Sequence, residues 1–186
     1  ANFDIVYLLP VTLINEVTSH SLFGDVKIYT SFDGGHPFTI DADQGSAYIG
    51  GSIGGTTPVS SISINGAVAI EFVGGTLQST GDQTYAGPVL LNGSTTLSLT
   101  GANNTLTLDS GSAQTYSINS TDAGSITSFG GGTLNFNDAE SLVGSRGDNN
   151  FIFENGGNIT GTLFGSSTGT NTIDYSSYTD DINVDI

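Results

Sequence analysis

Short apolar or alternating segments, each closed by a polar turn, return along this chain at an interval near twenty residues. That interval restricts the fold more than any other feature. Gly147-Asp148-Asn149-Asn150-Phe151 recurs 22 residues later as Gly169-Thr170-Asn171-Thr172-Ile173. Gly74-Gly75-Thr76-Leu77 recurs 57 residues later as Gly131-Gly132-Thr133-Leu134, close to three turns of 19. A unit this short cannot bury its own apolar side, so repeats of it must stack coil upon coil. A sandwich also uses short strands separated by turns, but it has no reason to repeat at this interval. We therefore expect an all-β chain folded as a parallel β-solenoid over residues 59–186.

The alternation within the strands agrees. In Thr95–Thr100 and Thr105–Ser110 leucine alternates with hydroxyl residues, which places leucines inside and hydroxyls outside. Glycine and asparagine at the corners accept the positive φ that sharp turns require. Further strands are expected at Val59–Ile64, Val68–Val73, Thr84–Leu91, Ser125–Phe129, Asn150–Phe153, Asn171–Tyr175 and Ile182–Ile186. No run of helix formers at three-to-four spacing interrupts them. Residues 1–58 carry longer apolar runs and three of the four prolines. They read as irregular first coils or as a cap, continuous with the rest as one domain.

Charge limits the partners. Eighteen acidic residues face only Lys27 and Arg146, a formal net charge of -16. Nucleic acid is excluded as a partner, because its binding needs several Lys or Arg to displace counterions. Anionic membranes are disfavoured for the same reason. No stretch is long enough to span a bilayer as a helix, and no membrane insertion is expected. Cysteine is absent, so there are no disulfides or thiolate metal sites, and that absence fits export through an outer-membrane pore. Methionine is absent too, so Ala1 is not expected to start an unprocessed reading frame. The alternation of Asp181–Ile186 at the last residue points to a piece cut from a longer chain.

Two segments carry a resemblance. In Ser79–Ser110, the residues Thr80, Gly81, Gln83, Thr84, Tyr85, Gly87, Val89 and Leu91 resemble the repeats of filamentous-haemagglutinin-like and autotransporter-type bacterial adhesins. Phe136–Ile186 is similar to a segment of giant bacterial adhesins, with degenerate copies of the glycine-aspartate nonapeptide of calcium-binding β-rolls. The resemblance covers somewhat less than half the chain. It implies a right-handed parallel β-helix, secretion or display on the bacterial cell surface, and a role in attachment.

Candidate sites are few. In the nonapeptide pattern Asn149 and Asn171 stand where a calcium-binding aspartate belongs, which removes most of the attraction for a hard cation. Asp41-Ala42-Asp43-Gln44-Gly45 has the spacing that opens a calcium loop, with Asp33 nearby, and Asp41 and Asp43 are the candidate calcium ligands. No other cofactor is expected. Arg146, Gly147 and Asp148 form the tripeptide known from integrin ligands. Asp180-Asp181 is the only adjacent acid pair, and His20 and His36 lie far from it in sequence. No catalytic triad follows from spacing. The seven tyrosines would suit neutral sugars wherever they are exposed. An outward row of Thr95, Thr105 and Thr107 would suit a flat ice-binding face.

The expected function is a non-catalytic β-helical segment of a large exported adhesin. Its partners would be a host-cell or surface receptor, a glycan or another copy of itself. The alternatives are a β-helix carbohydrate-active enzyme and a calcium-stabilised module of a secreted toxin-like protein.

Overall fold

The computed structural model describes residues 3–127, 132–179 and 181–182. It contains no helix, is about 51% strand, and forms a β-solenoid of about 8 turns with parallel stacked coils. Each of the first coils crosses three faces in the same order. Face one holds Ile5–Tyr7, Val26–Ile28, Ser46–Ile49, Ala69–Phe72 and Val89–Leu91. Face two holds Val11–Thr12 and Phe32–Asp33, a single bridging residue Ile53, then Gly75–Ser79 and Thr95–Leu99. Face three is the longest, with Val17–Ser21, Phe38–Ala42, Ile62–Gly66, Gln83–Ala86, Thr105–Asp109, Ser141–Val143 and Leu163–Phe164.

Alternation makes the core. On face three Val17, Phe38, Ile62, Gln83, Leu106, Leu142 and Leu163 stack in one inward row. On face two Val11, Phe32, Ile53, Leu77, Leu97 and Phe136 do the same. Phe38, Phe72, Leu97 and Phe136 are fully buried. Each such side chain contributes about 1.5–3 kcal/mol of transfer free energy, without which so glycine-rich a backbone would not order.

Residues 5–49 supply strands to the same three faces as the later coils. Their apolar runs exceed what the core takes up: Leu8, Leu9, Ile14, Leu22 and Phe23 are exposed.

The structure departs from the sequence expectations in four places. Thr84–Leu91 is two strands, Gln83–Ala86 on face three and Val89–Leu91 on face one. The corner between them is Gly87, at φ 136°, followed by Pro88. A Cβ on Gly87 would strike the carbonyl oxygen of Gly66 in the coil beside it, so the corner needs glycine both for its φ and for the close approach.

The two Gly-Gly-Thr-Leu segments are not three equal turns apart. Leu77 stacks on Leu97 and Leu97 on Phe136, while Leu134 is level with Thr95 and Gly75. Two coils separate them, out of register by two residues; Gly131 lies outside the described residues. Third, Thr95 points inward and is buried, so it shares no outward row with Thr105 and Thr107.

The fourth departure explains the second. One coil is long and not wholly parallel. Gln114–Ser120 turns back through Asp122, at φ 55°, into Ala123–Thr127, and these strands pair antiparallel. Ala123–Thr127 then pairs antiparallel with Leu134–Asn137, which rejoins face two above Thr95–Leu99. Gln114–Ser120 in turn carries Asn149–Phe153 and Asn171–Asp174 in parallel. Contacts across this coil span 36 to 38 residues, against 21 to 24 elsewhere.

Candidate functional site

The acidic side chains mostly hold coil to coil. A β-solenoid corner leaves backbone N–H groups without a ladder partner, and an unpaired donor is costly. Asp4 Oδ1 accepts from the Asp25 N–H at 3.0 Å, and Asp25 Oδ1 from Ser46 at 2.9 Å. Asp33 Oδ1 accepts from both Thr56 and Thr57, at 2.7 and 3.2 Å. Asp82 takes Thr105 and Asp148 takes Thr170, each at 2.7 Å. Asp122, at the tip of the antiparallel excursion, accepts from both the N–H and the Oγ1 of Thr160 at 2.7 Å. In nearly every case the donor lies one coil away. Lys27 joins the first of these corners: its Nζ sits 2.6 Å from Asp4 Oδ2 and 3.1 Å from Asp25 Oδ2. The hydrogen bond from Lys27, followed by that from the Asp25 backbone, holds the Asp4 carboxyl below its ordinary range.

The turn after Phe38–Ala42 is arranged differently. Asp41 is level with His20 of the preceding coil and with Asn65 of the next. Asn65 Nδ2 donates to Asp41 Oδ1 at 2.8 Å, which leaves Oδ2 turned to the imidazole. His20 Nε2 lies 3.1 Å from Asp43 Oδ2 and 3.8 Å from Asp41 Oδ2. The hydrogen bond to Asp43 raises the pKa of His20, opposed by a smaller loss of hydration. Asp33 is not part of this group; it belongs to face two, where its carboxylate caps Thr56 and Thr57. Calcium takes six to eight oxygens, whereas this turn gathers two carboxylates and an imidazole nitrogen. Sequence reading had set His20 aside as isolated. One coil's offset brings it to Asp41.

The nonapeptide-like turn does not fit a calcium ion. Asn149 is buried and its own amide fills the turn. Nδ2 lies 2.9 Å from Ser145 O, 3.0 Å from Gly147 O, 2.9 Å from Gly165 O and 2.8 Å from Asn171 Oδ1. Oδ1 accepts from the Ser145 N–H at 2.9 Å. The carbonyl oxygens a cation would need are thus turned toward an amide donor. Asn171 repeats the arrangement one coil on, donating to Ser166 O at 3.0 Å. These asparagines form a corner ladder of the kind seen where like side chains stack along a β-stack.

Arg146-Gly147-Asp148 occupies that same corner. Arg146 Nε donates to Asp109 Oδ1 at 2.8 Å, and Asp148 caps Thr170. A Cβ on Gly147 would meet the Ala113 backbone nitrogen at 2.7 Å, so the glycine is required by coil packing. Both charged groups of the tripeptide make intramolecular contacts. Asp180 lies outside the described residues, and Asp181 lines an open cavity with Phe153, Asn158, Tyr175 and Tyr178.

The tyrosines divide by burial. Tyr85 and Tyr116 are buried, and burial raises both phenol pKa values. Tyr7, Tyr175 and Tyr178 pack against the core. Tyr29 is exposed and lies against Tyr48 on face one, ring centres 4.9 Å apart.

Outward rows complete the surface. Thr18, Thr39, Ser63, Thr84 and Thr107 run in register along face three. Thr76, Thr96 and Asn135, with Gln78, Ser98 and Asn137 beside them, run along face two.

Fold and surface together define a parallel β-solenoid built of repeats, with polar ladders outside. No family model matches the chain, and neither a curated protein nor a solved structure matches it.

Proposed function

We propose that this chain is a non-catalytic β-solenoid segment of a large exported bacterial adhesin, giving the parent protein length and a polar contact surface. The observation that carries the reading is the in-register ladder of Thr18, Thr39, Ser63, Thr84 and Thr107 on face three. A flat row of hydroxyls on a rigid stack presents repeated hydrogen-bonding groups at fixed spacing, about 4.8 Å per coil. That suits multivalent contact with a surface, a glycan or a second copy. The resemblance of Ser79–Ser110 to adhesin repeats supports the same reading. So does the employment of most carboxylates in holding coils together. Where the partner is a glycan, the exposed Tyr29–Tyr48 pair supplies the aromatic face on which a sugar ring stacks.

The test is attachment of beads coated with the chain to host cells and to glycan arrays, alongside self-association by analytical ultracentrifugation. Thr39→Lys with Thr84→Lys should reduce attachment or self-association at least fivefold without moving the melting temperature. Tyr29→Ala should act only where a glycan is the partner. Attachment no greater than that of beads carrying an unrelated protein, with a monomer at all concentrations, would contradict the proposal.

A further inference from the structure

We infer that His20, Asp41 and Asp43 form a surface site for a divalent transition-metal ion of the zinc type. Three ligand atoms from adjacent coils, one imidazole nitrogen and two carboxylate oxygens, lie within 4.8 Å of one another. Two tetrahedral ligands at zinc bond lengths of about 2.0–2.1 Å stand roughly 3.3 Å apart. The separations here, 3.1 Å from His20 Nε2 to Asp43 Oδ2 and 3.8 Å to Asp41 Oδ2, bracket that value. Small side-chain rotations close the set around one ion.

Two features separate this group from the other acidic corners. The carboxylates of Asp25, Asp33, Asp82 and Asp148 are engaged by backbone N–H groups of the next coil. Asp41 instead receives the side-chain amide of Asn65 on Oδ1, an outer contact that fixes the carboxylate and aims Oδ2 at the site. The donor set also selects the ion. An imidazole with two carboxylates suits zinc and its neighbours, while calcium would find too few oxygens. All three side chains are partly open to solvent, so water completes the coordination. The register that stacks His20 on Asp41 joins successive coils, and a bound ion would clamp them at the N-terminal end of the stack.

Zinc alone is the probe, titrated into the full chain by isothermal calorimetry with a parallel thermal melt. The wild-type chain should bind one zinc ion with micromolar affinity and melt at a higher temperature when loaded. His20→Asn should weaken binding at least tenfold, Asp43→Asn several-fold, and His36→Asn not at all. A tenfold excess of calcium should leave zinc binding in place. Absence of binding up to millimolar zinc would overturn the inference. So would binding that survives His20→Asn, or displacement by calcium at equal concentration.

Discussion

At the scale of single residues, the core contains two tyrosines in opposite circumstances. Gln83 is a buried hub: Nε2 lies 3.1 Å from Leu77 O, 3.0 Å from Ser79 Oγ and 3.0 Å from Ser98 O. Its Oε1 accepts the Tyr85 hydroxyl at 2.8 Å. The Tyr116 hydroxyl is buried with no hydrogen-bond partner among the described residues. A buried hydroxyl without a partner costs more than it returns, while a paired one contributes about 1 kcal/mol. Tyr85→Phe should therefore destabilise the chain by about 1 kcal/mol in a urea titration, and Tyr116→Phe should be neutral or stabilising. A loss at Tyr116 as large as that at Tyr85 would mean its hydroxyl is satisfied. The sequence named Gln83 and Tyr85 through a resemblance without giving their work. Their roles depend on side chains from two faces meeting at a corner, which no local pattern encodes. A second Gln-Thr-Tyr at residues 114–116, with Gln114 and Tyr116 likewise buried, was a legible signal of a related strand.

At the scale of elements, the corner carboxylate explains how an acidic chain with two basic residues stacks at all. Asp82 is the clearest case, since its Oδ1 takes the Thr105 N–H from the following coil. A hydrogen bond to a charged acceptor is worth about 1.5–3 kcal/mol when shielded, and exposure of Asp82 to water reduces that to about 1. Asp82→Ala should lower stability by about that amount, and Asp82→Asn by less, because the amide oxygen still accepts. Equal stability of wild type and Asp82→Ala in chemical denaturation would show that water serves the Thr105 N–H equally well. Strand positions were largely readable, because leucine alternation at Thr95–Leu99 and Thr105–Asp109 is a period-two signal independent of context. The bend at Gly87-Pro88 was not, because apolar residues continue through it. Nor was the antiparallel excursion at Gln114–Thr127, whose strands carry the same alternation as parallel ones.

At the scale of the whole molecule, the coil offset organises the candidate site as well as the core. Asp41 and Asp43 were legible from local spacing, but His20 was not, because its partnership exists only once the coils are stacked in register. The central claim is that stacking: Thr18, Thr39, Ser63, Thr84 and Thr107 one coil apart on a straight polar face. Because the sequence contains no cysteine, two engineered thiols can be labelled without background. Pulsed dipolar electron paramagnetic resonance on Thr18→Cys with Thr107→Cys should report backbone sites about 19 Å apart, four strand spacings. Moving one label, to Thr39→Cys with Thr107→Cys, should shorten that by one spacing of about 4.8 Å. Distances that fail to change by one spacing per coil would contradict the stacked solenoid and the polar face built on it.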